Sequence, residues 1–539
     1  MKKMKRMKRM LSLLLALSMT LSLAACGGGS ETAETTAAQA ADSGSEAKAE
    51  TQAAEVPADA ETSDTLTIAV ASDMTSMDPH VGKEIAAVVV TNNIFGTLLA
   101  KDADGEIVPY IAESWEQVDD TTIDFKIRED ITFHDGSKLT AEDVAYSLNR
   151  AINSAYVAYI IDYASEAEVL DEYNVRLHLK APFLGALVNL TVPFTAIVPK
   201  AVVEADPDGF LEHPIGCGPY EFVEWSHGNY CKIKAYDDYF LGKAKTENIT
   251  FRIIPEAAQR TIALENGEVD LVYDFAVNDI SIVEGNDALQ LYQNESVTTW
   301  YLALNTQDPV LSDVKVRQAI AKAINVQEII DSVLYGAGSP ANSLIPPSVI
   351  GYPGDDMPYY EQDIEGAKAL LAEAGYADGL DLELAVMEDV TRVAVCQVIQ
   401  NQLSKVGINL SLNVCDPSTY TFRANDGEFQ MMFFFWICAA GHGDYQQYSL
   451  LHSTQQGAAG NRSFYANDEA DEYIMNARQT MDEAVATENY RNLEAIVDEE
   501  VPCIELLYTT LNVGATKNVI DFQMDRAGYH NLESVVVYK

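Results

Sequence analysis

Positive charge is scarce in this chain of 539 residues: 35 Lys and Arg stand against 82 Asp and Glu, a formal net charge of −47. So acidic a chain is repelled by nucleic acid and by an anionic bilayer face, which excludes both as partners. Long apolar runs are missing too. The run at residues 11–23 has 13 residues, short of the ~20 needed to span hydrocarbon. Cysteine is sparse, at seven, and none of it forms a Cys-x-x-Cys pair or a metal-ligand spacing. Cys217, Cys231, Cys396, Cys415, Cys438 and Cys503 are scattered through apolar stretches. They read as buried free thiols, with disulfide pairing as the alternative. No Gly-rich phosphate loop, nucleophile elbow or His-Glu-x-x-His motif occurs. Without a nucleophile, base and oxyanion arrangement we expect no enzyme, no cofactor and no metal.

What is present begins with a basic leader. Six Lys or Arg in the first ten residues precede the apolar run, and Leu23, Ala24 and Ala25 then lead to Cys26. This is a secretory signal over residues 1–26, and its small residues before Cys26 mark that thiol as a lipidation site. Residues 27–64 hold nine acids, one lysine and no aromatic residue, so nothing in them repays the entropy of ordering and a flexible acidic linker is expected. The remaining residues, about 475, are enough for two or three packed units. A hydrophobic content of 48% supplies their cores.

Along this part, periodicity alternates between strand and helix. Residues 84–99 carry apolar side chains at helical spacing, 122–128 and 173–179 alternate as strands, and Thr140 with Asp143 makes a capping box. Residues 218–234 read as a hairpin with a four-residue turn. From residue 382 to 437 the pattern is strand, helix, strand, helix, strand. Such alternation implies α/β layers with mixed sheets.

Several blocks then carry a resemblance. They are Pro-Tyr-Ile-Ala-Glu-Ser-Trp at 109–115, the long stretch at 125–144 containing Phe133-His134-Asp135-Gly136, and Pro-Ile-Gly-Cys-Gly-Pro-Tyr at 214–220. Asn-Gly-Glu-Val-Asp at 266–270, Asp-Val-Lys-Val-Arg-Gln-Ala-Ile at 313–320 and residues 367–376 and 402–408 follow in order. The chain resembles the family 5 extracellular solute-binding proteins, the dipeptide, oligopeptide and nickel group. The resemblance implies an α/β, two-lobed periplasmic-binding-protein fold of the large extended type, with a hinge and an extra inserted domain. Mapped here, lobe I is 64–105, 210–298 and 500–539, the inserted domain is 106–209, and lobe II is 299–499. Residues 298–305 and 501–509 are the expected hinge segments. It also implies a monomeric receptor anchored outside the cell membrane through Cys26. That receptor would deliver short peptides or peptide-like solutes to an ABC permease with its ATPase subunits. A nickel chelate, a glutathione-like solute or an oligosaccharide is the alternative cargo; a surface sensor or secreted hydrolase fits less well.

The candidate ligand contacts are Trp436, Ile437, Asp444, Trp300, Asn305 and Tyr420. In peptide-binding relatives an Asp after the matching Trp pairs with the α-ammonium; here Ala439 or Ala440 stands there, and Asp444 is the nearest acid. Dipeptide relatives place an Arg after the strand read at 382–387, where this chain has Met387 and Glu388. Core packing is the competing reading for both tryptophans. His134 reads as part of a turn, and His442 with His452 as a weak metal pattern.

Overall fold

Two segments with apolar residues along much of their length, Leu289–Leu304 and Cys503–Thr516, run as single long strands and pair antiparallel. They occupy the middle of an 11-stranded sheet. On one side Met431–Ile437 pairs with Leu289–Leu304, then Leu380–Met387 and Ile408–Cys415 follow in parallel. On the other, Leu271–Val272 pairs with Cys503–Thr516, followed by Thr65–Val70 and Asn248–Ile253 in parallel. The expected hairpin, Tyr220–Ser226 with Tyr230–Ala235, closes that edge. The computed structural model describes residues 61–539, except 83, 103 and 104. The signal segment with Cys26 and most of the linker lie outside the described residues.

The two long strands change register between Glu295 and Thr299, opposite Thr510 and Tyr508. A register break loosens the ladder locally and increases twist. The expected hinge segments, 298–305 and 501–509, cover only the halves of these strands that face Met431–Ile437. The break sits at their border. Separate apolar cores flank it, one built on Leu66, Ile68, Phe251 and Val513, another on Leu302, Ile320, Leu384 and Phe433.

A second sheet of four antiparallel strands orders Ala112–Asp119, Thr122–Ile127, Asn174–Leu179 and Ala164–Asp171. Its strands alternate as the sequence suggests, and Ile123, Phe125, Val175 and Leu177 are buried. Helix Ala141–Ile152 covers them, opened by the Thr140–Asp143 box. This core also takes in Leu98, Leu99 and Cys217, so the small sheet shares its interior with residues outside 106–209.

Two expectations change. The helix anticipated over 84–99 spans only Ile85–Thr91. Beyond it the Ile94 carbonyl accepts from Gly218 N at 2.8 Å, and a Cβ at Gly216 would lie 2.0 Å from that oxygen. The Gly-Cys-Gly segment therefore packs backbone to backbone and draws the chain out of the helix. Residues 61–63 fall within the expected linker, yet Thr62 bridges Tyr538 and Ser63 N donates to Val537 O at 2.7 Å. The C-terminal residues supply an ordering partner that composition does not reveal.

The remaining motifs serve the frame. The His134 ring accepts from Gly216 N at 3.2 Å and donates to Gly218 O at 3.1 Å, with burial pushing its pKa down to about 4. Arg317 is buried and donates to the carbonyls of Leu311 and Glu500, tying helix Val314–Ala323 to the end of helix Glu483–Glu500. All six described cysteines are free and buried.

Candidate functional site

Strand Met431–Ile437 sets the geometry of the site by its alternation. Trp436 pairs with Thr299 and Phe434 with Tyr301 on one face, whereas Phe435 pairs with Trp300 and Phe433 with Leu302 on the other. Trp436 is half-buried, its indole N–H finds no acceptor, and its ring lies 5.3 Å from that of Tyr445. After Cys438 the chain turns through Gly441, at φ +68, and Gly443. A Cβ at Gly443 would come within 2.6 Å of the Ile345 side chain, so the turn lies flat on the core. Helix Asp444–Leu451 starts immediately after.

Asp444 is buried and bound to Arg478: Nη1 donates to Oδ2 at 2.7 Å. Burial pushes its carboxyl up to about 7 despite the neighbouring guanidinium. Arg478 ends helix Asp468–Arg478, covers the Tyr448 ring at 4.2 Å and reaches Asp162 at 2.9 Å. One guanidinium thus spans two acids from distant parts of the chain. Beside it Tyr159 and Tyr445 stack with ring centres 5.8 Å apart.

These groups line a cavity of about 100 Å³, with Tyr159, Asn189, His442, Asp444, Tyr445 and Arg478 in its wall. Three of its residues carry unpaired, buried polar atoms: Asn189 Oδ1, His442 Nε2 and Asp444 Oδ1. The His442 tautomer follows from its neighbour, because Asp444 N donates to Nδ1 at 3.0 Å. The proton of the neutral ring is then on Nε2, and burial holds the ring neutral by pushing its pKa down to about 3. The wall therefore offers one donor and two acceptors without partners. Buried polar atoms are paired in all but a few cases, so such a cluster marks a place built for something else to complete.

Of the candidates, Asp444 lines the cavity and Trp436 packs on Tyr445, which also lines it; Ile437 follows in the strand outside the lining, and three candidates lie elsewhere. Trp300 lies on the opposite face of the sheet, edge-on to Phe433 at 5.4 Å. The Asn305 amide is spent on Gly427 O and Phe429 O, both at 3.0 Å. Tyr420 donates its hydroxyl to Phe433 O and packs on Phe434. These three pack and tie the frame. Asp444, read as a loop acid, is instead the first residue of a helix and already has a cation. Among the described residues no group of three or more His, Cys, Asp or Glu is arranged to hold a metal. The sequence reading missed Arg478, Asp162, Tyr159 and His442 as members of one site. The signal for Arg478 was slight: it is the lone cation of its otherwise acidic helix.

A family model described as bacterial extracellular solute-binding proteins, family 5 middle, matches residues 106–458. The chain belongs to this family. Among family 5 relatives, the dipeptide-binding protein of Escherichia coli K12 is 28% identical over 465 residues, 80% of this chain and 86% of its own length. The glutathione-binding protein GsiB of Shigella boydii is 28% identical over 472 residues, 85% of this chain and 91% of its own. The Helicobacter pylori periplasmic binding protein DppA, solved with the peptide STSA, superposes with a TM-score of 0.77 at 26% identity, over 88% of this chain and 98% of that one. The fold is the two-lobed α/β fold of family 5 solute-binding proteins.

Proposed function

We propose that this protein is the extracytoplasmic receptor of an ABC importer and captures short peptides or peptide-like solutes. The observation that carries the reading is the polar cavity beside Trp436 in a family 5 frame. Its wall has unmet donors and acceptors, as a backbone-like solute requires, and aromatic rings that add contact area at low entropic cost. The relatives named for dipeptides and for glutathione favour the same chemistry. Trp436, Ile437 and Asp444 are the contact residues, joined by Tyr159 and His442.

In this reading lobe I comprises 64–105, 210–298 and 500–539, the inserted domain 106–209, and lobe II 299–499. The register break in the long strands is the hinge. A solute that touches both sides shifts the open–closed equilibrium, and the permease with its ATPase subunits reads the closed form. Lipid on Cys26 and the acidic linker hold the monomer at the outer face of the membrane.

A thermal-shift panel tests the solute class. A pool of random tripeptides or glutathione is expected to raise the melting temperature by mass action, and nickel–histidine or a trisaccharide to leave it unchanged. A shift with the trisaccharide or the nickel chelate alone overturns the peptide reading.

A further inference from the structure

Asn189 ends the short helix Ala186–Asn189, and one bond fixes its side-chain amide: Nδ2 donates to Ile160 O at 2.8 Å. That bond leaves Oδ1 as the branch without a partner. Asp444 is fixed in the same way, with Oδ2 on Arg478 Nη1 and Oδ1 unpaired. His442 accepts from Asp444 N through Nδ1, so its unpaired Nε2 carries the proton. All three residues are more than nine-tenths buried, and all three line one cavity. Two acceptors and one donor stand there, and the bond that each side chain makes elsewhere settles which is which.

Size narrows what completes them. The cavity measures about 100 Å³, more than one water needs and less than the ~150 Å³ that takes a benzene ring. The exposed Tyr159 forms part of its wall and stacks on Tyr445, whose ring lies 5.3 Å from that of Trp436. The cavity therefore adjoins both solvent and the tryptophan of the candidate site.

Chemistry narrows it further. An ammonium has donors alone, which leaves the His442 N–H facing a cation. A carboxylate has acceptors alone, and it meets the Asn189 and Asp444 oxygens in a wall where two acids already share one guanidinium. A hydroxyl has one proton for two acceptors. A primary carboxamide has two N–H protons and a carbonyl, the full complement of the wall, and its flat shape suits the tyrosine faces. Water offers the same pattern, so a carboxamide displaces it without leaving a wall group unpaired.

We propose that this cavity is a side-chain pocket for a primary carboxamide, so that the receptor selects peptides carrying glutamine or asparagine. This rests on the peptide reading above, and the test separates the two. Calorimetric titrations would be run at pH 8, above the value of about 7 to which burial raises Asp444. They would use four pools of tripeptides, random except that each member carries a single glutamine, glutamate, lysine or methionine and no other amide or charged side chain. The wild type is expected to bind the glutamine pool at least ~10-fold more tightly than the other three. Asp444→Asn keeps the shape but places an amide N–H where Oδ1 stood, because its oxygen stays with Arg478. This variant should lose the glutamine preference and bind the glutamate pool at least as tightly. Melting curves matching the wild type would show that it folds; if it does not, the wild-type comparison decides alone. Equal affinity for the glutamine and methionine pools means that the cavity holds water only, and a preference for glutamate or lysine means a charged occupant. Either result, or a glutamine preference that survives in Asp444→Asn, overturns the inference and leaves the peptide reading standing. Failure of all four pools to bind overturns the peptide reading, and this inference with it.

Discussion

Arg478→Met is the substitution whose cost follows most directly from the geometry. Methionine keeps an apolar side chain but removes the guanidinium, which stands between Asp444 and Asp162 and over the Tyr448 ring. The two acids respond differently. The Asp162 side chain is 47% exposed and regains water, so its share is at most about 1 kcal/mol. The Asp444 side chain is 6% exposed and is left without its counter-ion, a loss of about 3–5 kcal/mol for a buried pair broken on one side. Protonation limits that cost. Asp444 already sits near 7 because of burial, and losing Arg478 raises it further. Its folded pKa then lies well above the unfolded value, so the variant regains stability as pH falls through the folded pKa. Urea unfolding at pH 8 should show a loss of about 3 kcal/mol or more, clearly smaller at pH 6. The Arg478→Met/Asp444→Asn double variant should recover most of it at pH 8, because neither charge is then buried alone. A loss under ~1 kcal/mol at pH 8 with no pH dependence would refute the pairing as an energetic unit.

Other expectations follow from the same physics. Glu494 is buried, accepts from Ser343 Oγ and Gln447 Nε2 at 2.6 Å each, and is pushed up to about 7 by burial with Asp498 nearby. Because the folded protein holds this proton more tightly, Glu494 makes stability fall between pH 5 and 8, and Glu494→Gln should flatten that slope by about 2 kcal/mol in urea titrations. A slope unchanged by the substitution would contradict this. Cys26→Ala should move the protein out of the lipid-extractable membrane fraction; unchanged detergent partitioning would contradict the anchor. Gly443→Ala should cost about 1–3 kcal/mol by overpacking against Ile345, read as a lower urea midpoint with an unchanged denaturant slope.

Much of the frame was legible because local pattern and tertiary context agree. Thr122–Ile127 and Asn174–Leu179 alternate in sequence and in burial, and the capping box at Thr140 opens a helix where its spacing places one. The 84–99 segment was misread because its helical spacing competes with the close backbone contact of Gly216 and Gly218 on Ile94, 122 residues or more away. Of the site, Trp436 and Asp444 were found through their common segment. Arg478 and Asp162 were not, since an ion pair spanning 316 residues leaves no local trace. Trp300 and Trp436 look equivalent as aromatic residues in apolar strands. Only the register, Trp300 against Phe435 and Trp436 against Thr299, puts them on opposite faces.

The central claim is capture of a peptide-like solute at the cavity beside Trp436. Native mass spectrometry of the full chain, purified without a refolding step, tests it most directly. We expect a mass increment that denaturation releases, that fragments as a short peptide or peptide-like acid, and that Trp436→Ala reduces. A released solute without peptide bonds, or the same occupancy in Trp436→Ala, would contradict it.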